Sequence, residues 1–135
     1  MKTKLFSFFL FVILFAGLNH TASAQTISAS GTWKASIDTP VGLFKYTLII
    51  QQDGEKLTGK ILRSLENEKS EIVLEEGKIQ GDIISFAESF SMQDQAIKIT
   101  YSGKITANEM QLTRQVGEFA TEQVTFKREV SASAQ

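Results

Sequence analysis

The chain has 135 residues, with 14 lysines and arginines against 15 acidic residues, no cysteine, and a single histidine, His20. The lack of cysteine excludes disulfides, a cysteine nucleophile and cysteine-ligated zinc; a domain that begins after His20 also has no histidine for a Ser-His-Asp triad. The basic residues do not cluster as they do on a nucleic-acid-binding face, so the sequence does not indicate a nucleic-acid partner. We therefore predict no catalytic histidine or cysteine, no metal, no cofactor and no nucleic-acid ligand.

The first 24 residues have the pattern of a secretory signal peptide. Lys2 and Lys4 precede the apolar run 5–18, and the small residues Ala22-Ser23-Ala24 predict cleavage before Gln25. The apolar run is shorter than the stretch of about 20 residues that spans a membrane. We therefore predict an exported protein, periplasmic or extracellular, without a membrane span.

Cleavage leaves residues 25–135, enough for one domain with one core. Without Lys2 and Lys4 it carries 12 basic and 15 acidic side chains, a mildly acidic balance. We divide it into a small polar leader over 25–30, a β-barrel domain over 31–130 and a polar tail over 131–135.

Apolar and polar residues alternate in eight segments of the predicted domain, as they do in half-buried strands. The segments are 31–37, 44–51, 57–65, 71–79, 83–90, 96–105, 109–116 and 123–130. Asp53-Gly54, Gly81-Asp82 and Ala107-Asn108 predict two-residue hairpin turns. These turns set a predicted register, with cross-strand pairs Ile50–Leu57, Ile79–Ile84, Gly77–Phe86, Glu75–Glu88 and Tyr101–Arg114.

Eight strands joined by short connections predict an all-β fold, an eight-stranded antiparallel up-and-down barrel of calycin-like form. Consecutive strands tend to be neighbours, and closure removes exposed strand edges. The alternative is an open sandwich of two sheets. An eight-stranded barrel is filled by side chains or holds one small ligand.

Six polar residues share the predicted inner face with clear core residues such as Leu48 and Phe126. They are Arg63, Glu75, Glu88, Tyr101, Arg114 and Arg128. Because charged side chains are rarely buried without a partner, this set needs an explanation. The residues either close one mouth of the barrel as a network of salt bridges, or bind a polar ligand there against Trp33, Tyr46 and Tyr101. A third explanation is a bulge that turns them to solvent.

Glu75 and Glu88 can also be interpreted as an acid–base pair. Opposed strand residues have their β-carbons about 5 Å apart, and a retaining glycosidase needs carboxyl groups about 5–5.5 Å apart. Nearby arginines would keep both carboxylates ionised, however, whereas the catalytic acid must stay protonated.

Two resemblances extend this interpretation. Gly31-Thr-Trp33 and the segment Asp53-Gly-Glu-Lys-Leu-Thr-Gly59 resemble the opening of the avidin and streptavidin barrels. Ala35 stands where that family has a biotin-binding asparagine. The resemblance therefore implies the barrel and not biotin binding.

Almost the whole predicted domain is similar to a small exported lipocalin-like domain of Bacteroidetes secreted proteins. That domain stands alone or is attached to secreted hydrolases, and has no assigned activity. The similarity rests on seven short motifs. They are Gly31-x-Trp33, Thr39-Pro40-x-Gly42, Leu57-Thr-Gly59-Lys, Gly77-Lys-Ile-x-Gly-Asp82, Ile84-Ser-Phe86, Tyr101-x-Gly103-Lys and Phe126-Lys-Arg128.

We therefore predict a non-enzymatic binding or accessory domain for a small molecule or glycan, with a secreted enzyme as a candidate partner. The predicted ligand site comprises Trp33, Tyr46, Arg63, Glu75, Glu88, Tyr101, Arg114 and Arg128. The alternatives are a carboxylate-based glycoside hydrolase and a structural or protein-interaction domain.

Overall fold

The computed structural model describes residues 27–130, so the predicted signal peptide, the start of the leader and the tail lie outside the described residues. The described part is built of strands and short connections. These are β1 (Gly31–Thr39), β2 (Gly42–Asp53), β3 (Lys56–Leu65), β4 (Glu68–Val73), β5 (Glu75–Gln80), β6 (Ile83–Met92), β7 (Gln95–Ile105), β8 (Glu109–Val116) and β9 (Ala120–Arg128). No helix within residues 27–130 is long and apolar enough to cross a membrane.

The strands form a closed antiparallel barrel, as predicted. β4 and β5 are the two halves of one strand that breaks at Leu74, and both pair with β3. The sheet therefore has eight positions around the barrel, each filled by the next strand in the chain. Closure comes from β9, which returns to β1 at the pairs Trp33–Arg128 and Lys34–Lys127.

The connections divide the barrel into two ends. At the end that we call the capped end lie the turns 54–55, 81–82 and 106–108, with the start of β1 and the end of β9. At the other, which we call the polar end, lie the turns 40–41, 66–67, 93–94 and 117–119.

The barrel interior is filled by the alternate residues that the pattern predicts. Trp33, Leu48, Ile61 and Phe126 are completely buried. Aromatic rings continue the core toward the polar end, where Phe86 stacks on Tyr101 with ring centroids 4.7 Å apart. The residues of most interest for function therefore lie against a tightly packed apolar layer.

The predicted register is confirmed for β7 and β8, where Tyr101 lies opposite Arg114. Between β2 and β3 it is wrong by two residues, because Ile50 lies opposite Gly59 and not Leu57. The turn is Gly54-Glu55, with Gly54 at a φ of 61° in the first loop position. A shift of two residues keeps each side chain on its predicted face.

A β-bulge in β5 changes which face its upstream residues occupy. The turn at 81–82 sets the predicted pair Ile79–Ile84, but the register slips between Lys78 and Glu75. Glu75 therefore lies opposite Ala87 and not Glu88. The extra residue is Glu76, which has a φ of 51°. An odd shift exchanges the two faces of a strand.

Leu74 gains the inner position that the straight strand would have given to its neighbours. Leu74 is only 6% exposed, whereas Val73 is 71% exposed. Burying a leucine and leaving a glutamate in water is the favourable choice. The bulge therefore corrects the predicted inner position of Glu75 and the predicted pair Glu75–Glu88.

Candidate functional site

A chain of alternating basic, phenolic and acidic groups lies inside the barrel toward the polar end. Strand alternation brings Tyr46, Arg63, Glu88, Tyr101 and Arg114 to this region, five of the eight predicted site residues. Tyr101 lies directly opposite Arg114, and Tyr46 directly opposite Arg63. The ladder positions thus place each arginine beside a tyrosine.

Arg114 has all its nitrogens committed to neighbouring side chains. Its Nε donates to the Tyr101 hydroxyl at 3.2 Å, and its Nη2 donates to the Tyr46 hydroxyl at 3.2 Å. Its Nη1 forms an ion pair with Glu122 at 2.7 Å. Burial alone would lower the pKa of this guanidinium, but the phenols and Glu122 outweigh burial and raise it. Arg114 is therefore a permanently charged structural centre.

Glu88 is the least satisfied group of the network. Its side chain is completely buried, and the Tyr101 hydroxyl donates a long 3.5 Å hydrogen bond to Oε2. Oε1 is the one buried side-chain polar atom within residues 27–130 that has no hydrogen-bond partner. The nearest cation is Arg63, whose Nη1 lies 3.7 Å from that oxygen.

Burial decides the protonation of Glu88. Desolvation raises the pKa of this carboxyl above its usual value of 4.5, although Arg63, Arg114 and the Tyr101 hydroxyl act in the opposite direction. Burial and the neighbouring carboxyl likewise raise the pKa of the Tyr101 phenol. Tyr101 thus remains a neutral donor, and Glu88 holds its proton at higher pH than an exposed glutamate would.

Arg63 connects this buried network with the surface. Its side chain is 20% exposed and lies over two aromatic rings, 5.7 Å from the centroid of Phe44 and 5.4 Å from that of Phe90. A cleft of about 290 Å³ opens beside it. The cleft is lined by Phe44, Arg63, Leu65, Glu68, Lys69 and Ser70.

Two predicted site residues, Trp33 and Arg128, lie at the capped end instead. The Arg128 guanidinium lies 4.1 Å from the Trp33 ring and donates to the carbonyls of Ala107, Ser30 and Ser28 at 2.6–2.7 Å. Trp33 Nε1 donates to the carbonyl of the buried Ala29 at 2.9 Å. This arginine fastens residues 28–30 across the barrel mouth.

Glu75 lies outside the barrel. Its carboxylate is exposed and accepts a hydrogen bond from Ser89 Oγ at 3.2 Å. The opposed pair with Glu88 that would resemble a retaining glycosidase is therefore not formed. The bulge considered from the sequence accounts for Glu75 and for none of the other five inner-face residues.

Three residues of the site were missed from the sequence. Phe44 and Phe90 hold Arg63, and Glu122 pairs with Arg114. Phe44 and Phe90 lie two residues from Tyr46 and Glu88, so alternation assigns them to the same face. Glu122 lies just before the predicted strand 123–130, because β9 begins three residues earlier than its apolar pattern suggests.

No group of three or more histidine, cysteine, aspartate or glutamate side chains in residues 27–130 could hold a metal ion. The network instead offers hydrogen-bond donors from arginine and acceptors from a carboxyl group. Comparison with protein-family models, curated proteins and solved structures gives no match. The family resemblances therefore stay predictions, and the molecule is identified by its fold, as a small eight-stranded antiparallel β-barrel domain.

Proposed function

We propose that this protein is an exported, non-enzymatic binding domain whose polar end takes a small, neutral, hydroxyl-rich ligand such as the terminal sugar of a glycan. One observation carries the proposal: Glu88 is completely buried, yet its Oε1 has no hydrogen-bond partner. An unsatisfied buried acceptor costs about 1–3 kcal/mol. A ligand that donates to Oε1 would recover that free energy.

The gap between Glu88 and Arg63 selects the chemistry of the ligand. Oε1 and Nη1 are 3.7 Å apart, beyond hydrogen-bonding distance. A hydroxyl can donate to the carboxylate and accept from the guanidinium at the same time. An anionic ligand would be repelled by Glu88, and a cationic ligand would be repelled by Arg63. A neutral polyol suits both residues.

Access and size also support a small ligand. The cleft of about 290 Å³ is lined by Arg63, the one partly exposed member of the pair, and not by the completely buried Glu88. Its volume is at the lower limit of small-molecule pockets, which run from about 300 to 1,000 Å³. Phe44 and Phe90 supply apolar surface beside the polar groups. A single sugar unit fits this combination.

The remaining part of the network fits the other explanation, in which salt bridges close one mouth of the barrel as a structural plug. Arg114 has a partner for each of its three nitrogens, in Tyr101, Glu122 and Tyr46. We therefore restrict the proposed ligand site to Glu88, Arg63 and the two phenylalanines. Arg114 and the tyrosines support it from below.

A second candidate function, docking on a secreted partner protein, is favoured by apolar side chains around the polar end. Val41 in turn 40–41 is 69% exposed, and Phe119 in turn 117–119 is 78% exposed. Leu43, beside turn 40–41, and Met92, beside turn 93–94, are also about half exposed. In an accessory domain this rim would hold the partner beside the ligand.

Thermal unfolding with a ligand panel tests the proposal. Protein purified from cells that express the full chain is melted with neutral mono- and disaccharides, uronic acids, amines and fatty acids. A ligand at 100 times its dissociation constant adds about 2.7 kcal/mol, or several degrees. We expect a shift from a neutral sugar that Glu88→Gln abolishes and that Glu75→Gln, the same change outside the barrel, preserves.

Two outcomes would contradict the proposal. A sugar-induced shift that survives Glu88→Gln would place the ligand elsewhere. A cooperative melt that no ligand moves would leave the polar end as a structural plug and would favour docking on a protein partner.

A further inference from the structure

The outer face formed by β9, β1 and β2 carries a cleft lined by lysines and hydroxyls. The cleft measures about 530 Å³. Lys34, Lys45 and Lys127 line it together with hydroxyl-bearing side chains, and no carboxylate does. The hydroxyl groups belong to Ser36, Thr47, Ser64 and Thr125, whereas the hydroxyl of the lining residue Tyr46 lies inside the barrel, where it accepts from Arg114.

The strand register forces the lysines together. Lys34 lies directly opposite Lys127 across the β1–β9 ladder and opposite Thr47 across the β1–β2 ladder. Lys45 is one ladder step away, opposite Ser36 and Ser64. Like charges in directly opposed positions destabilise a sheet. This repulsion would be relieved by a bound anion.

The cleft continues across the outer face of the barrel. A second cleft of about 420 Å³ shares Lys45, Thr47 and Ser64 with it. The second cleft in turn shares Arg63, Lys69 and Ser70 with the cleft at the polar end. The three clefts thus form one track from β9 to β4. Four strand spacings of about 4.8 Å give it a length of about 19 Å.

Few acidic groups compensate the lysines of the track. Lys34 pairs with Glu129 at 2.8 Å on the exposed surface. Within residues 27–130, Lys45, Lys69 and Lys127 form no ion pair. Two acidic residues line the track: Glu71 in the second cleft, which is itself paired with Lys60 at 3.6 Å, and Glu68 in the polar-end cleft. The track is therefore basic on a chain whose formal net charge is −1.

We propose that this track binds an acidic polysaccharide. A polymer of uronic acids alternates carboxylates with hydroxyls, and the track alternates lysine ammonium groups with serine and threonine hydroxyls. The length of the track indicates a chain of several sugar units. Nucleic acid is the weaker match, because binding of single strands relies on exposed aromatic rings for base stacking. The aromatic rings along the track belong to Phe44 and to the buried Tyr46.

Calorimetric titration with polygalacturonate tests this inference. The protein purified from full-chain expression is compared with the triple variant Lys34→Gln, Lys45→Gln, Lys127→Gln. Each exposed lysine–carboxylate contact is expected to change affinity about 1.5- to 5-fold, so the triple variant should bind about 3- to 125-fold more weakly. Binding should weaken as salt concentration rises.

Lys104→Gln provides the matched control. Lys104 is an exposed outward lysine on β7, across the barrel from β2, so this variant makes the same charge change away from the track. We expect it to bind polygalacturonate like the wild type. The three lysines changed in the variant lie in the cleft on β9, β1 and β2 and not in the polar-end cleft, so the test does not depend on the sugar site.

Three results would overturn the inference. The first is an affinity for polygalacturonate that is the same in the triple variant and in Lys104→Gln. The second is neutral dextran that binds as tightly as polygalacturonate. The third is an oligodeoxythymidylate that binds more tightly than either polysaccharide. In the last case the track would be a nucleic-acid site.

Discussion

Glu88 is the residue at which stability and the proposed ligand binding compete. A carboxyl group in a closed apolar layer normally has each oxygen bonded, yet Oε1 has no partner and Arg63 remains 3.7 Å away. The surrounding apolar side chains make ionisation costly, and this cost outweighs the two arginines. The unpartnered Oε1 of Glu88 is therefore an acceptor that a bound ligand could satisfy with a hydrogen bond.

The pH dependence of stability should report this burial. In the unfolded chain Glu88 titrates near 4.5, and in the folded protein its pKa is higher. Its contribution to stability is therefore complete below about pH 4.5 and is lost as pH rises toward the folded-state pKa. Urea unfolding from pH 4 to pH 8 should show the free energy of unfolding of wild type falling relative to Glu88→Gln in that window. Parallel curves would show that burial does not control Glu88.

Arg114 should behave as a structural residue. Arg114→Met keeps most of the side-chain volume but leaves the hydroxyls of Tyr46 and Tyr101 without their charged donor. Unsatisfied buried groups cost about 1–3 kcal/mol each, so for the two hydroxyls we expect a loss of about 2–6 kcal/mol in urea unfolding. Glu122 adds little, because an ion pair to a carboxylate that reaches solvent is weak. A loss below 0.5 kcal/mol would contradict the structural role of Arg114.

At the scale of elements, the break between β4 and β5 determines which residues face the core. The bulge at Glu76 places Leu74 inside and Val73 outside. We expect Leu74→Ala to lower the free energy of unfolding by about 2–5 kcal/mol and Val73→Ala to change it by less than about 0.5 kcal/mol. Equal effects, or a larger effect at Val73, would indicate the straight strand that simple alternation predicts.

The same element shows how far the sequence could predict this fold. Apolar alternation and turn residues predicted the closed barrel, and Ala107-Asn108 gave the β7–β8 register. Alternation repeats every two residues, so the two-residue register error at Gly54 left each side chain on its predicted face. It could not place a bulge, because nothing in the local pattern marks Glu76 as an extra residue. The preference for Leu74 inside arises only from packing across the barrel.

The site was predicted to a similar extent and for similar reasons. Inner-face alternation selected Arg63, Glu88, Tyr101 and Arg114 together with Tyr46. It could not assign them to an end of the barrel, because that depends on the stagger of strands around the closed sheet. Trp33 and Arg128 therefore appeared on the same face as the others but lie at the capped end.

The capped end depends on the shape of one arginine. Arg128 donates to three carbonyls in a fixed fork, and two of those carbonyls belong to Ser28 and Ser30. Arg128→Lys keeps the charge but replaces the fork with a single ammonium group. We expect a loss of about 1–2 kcal/mol and faster hydrogen exchange at the Ala29 amide, which donates to Gln52 Oε1. Unchanged exchange at Ala29 would show that Trp33 and Gln52 hold the leader without Arg128.

At the scale of the whole molecule, the barrel wall is uneven. β6 and β7 pair along ten residues of each strand, whereas β1 and β9 pair at only two positions in the described part of the chain. Beyond Lys34 the two strands diverge toward the polar end, and a cleft of about 390 Å³ lies between them. The seam that closes the barrel is therefore its shortest ladder.

Native-state hydrogen exchange should locate the first opening of the molecule at this seam. Amides in the middle of β6 and β7 are bonded on complete ladders, so we expect them to exchange only through global unfolding. Amides of β1 after Lys34 and of β9 before Lys127 that face each other lack ladder partners, so they should exchange through local opening at a much lower free energy. The ligand track crosses this seam between Lys34 and Lys127, so polygalacturonate should slow exchange there and leave β6 and β7 unaffected. Uniform protection around the barrel would show instead that side-chain packing, and not the ladder, holds the seam closed.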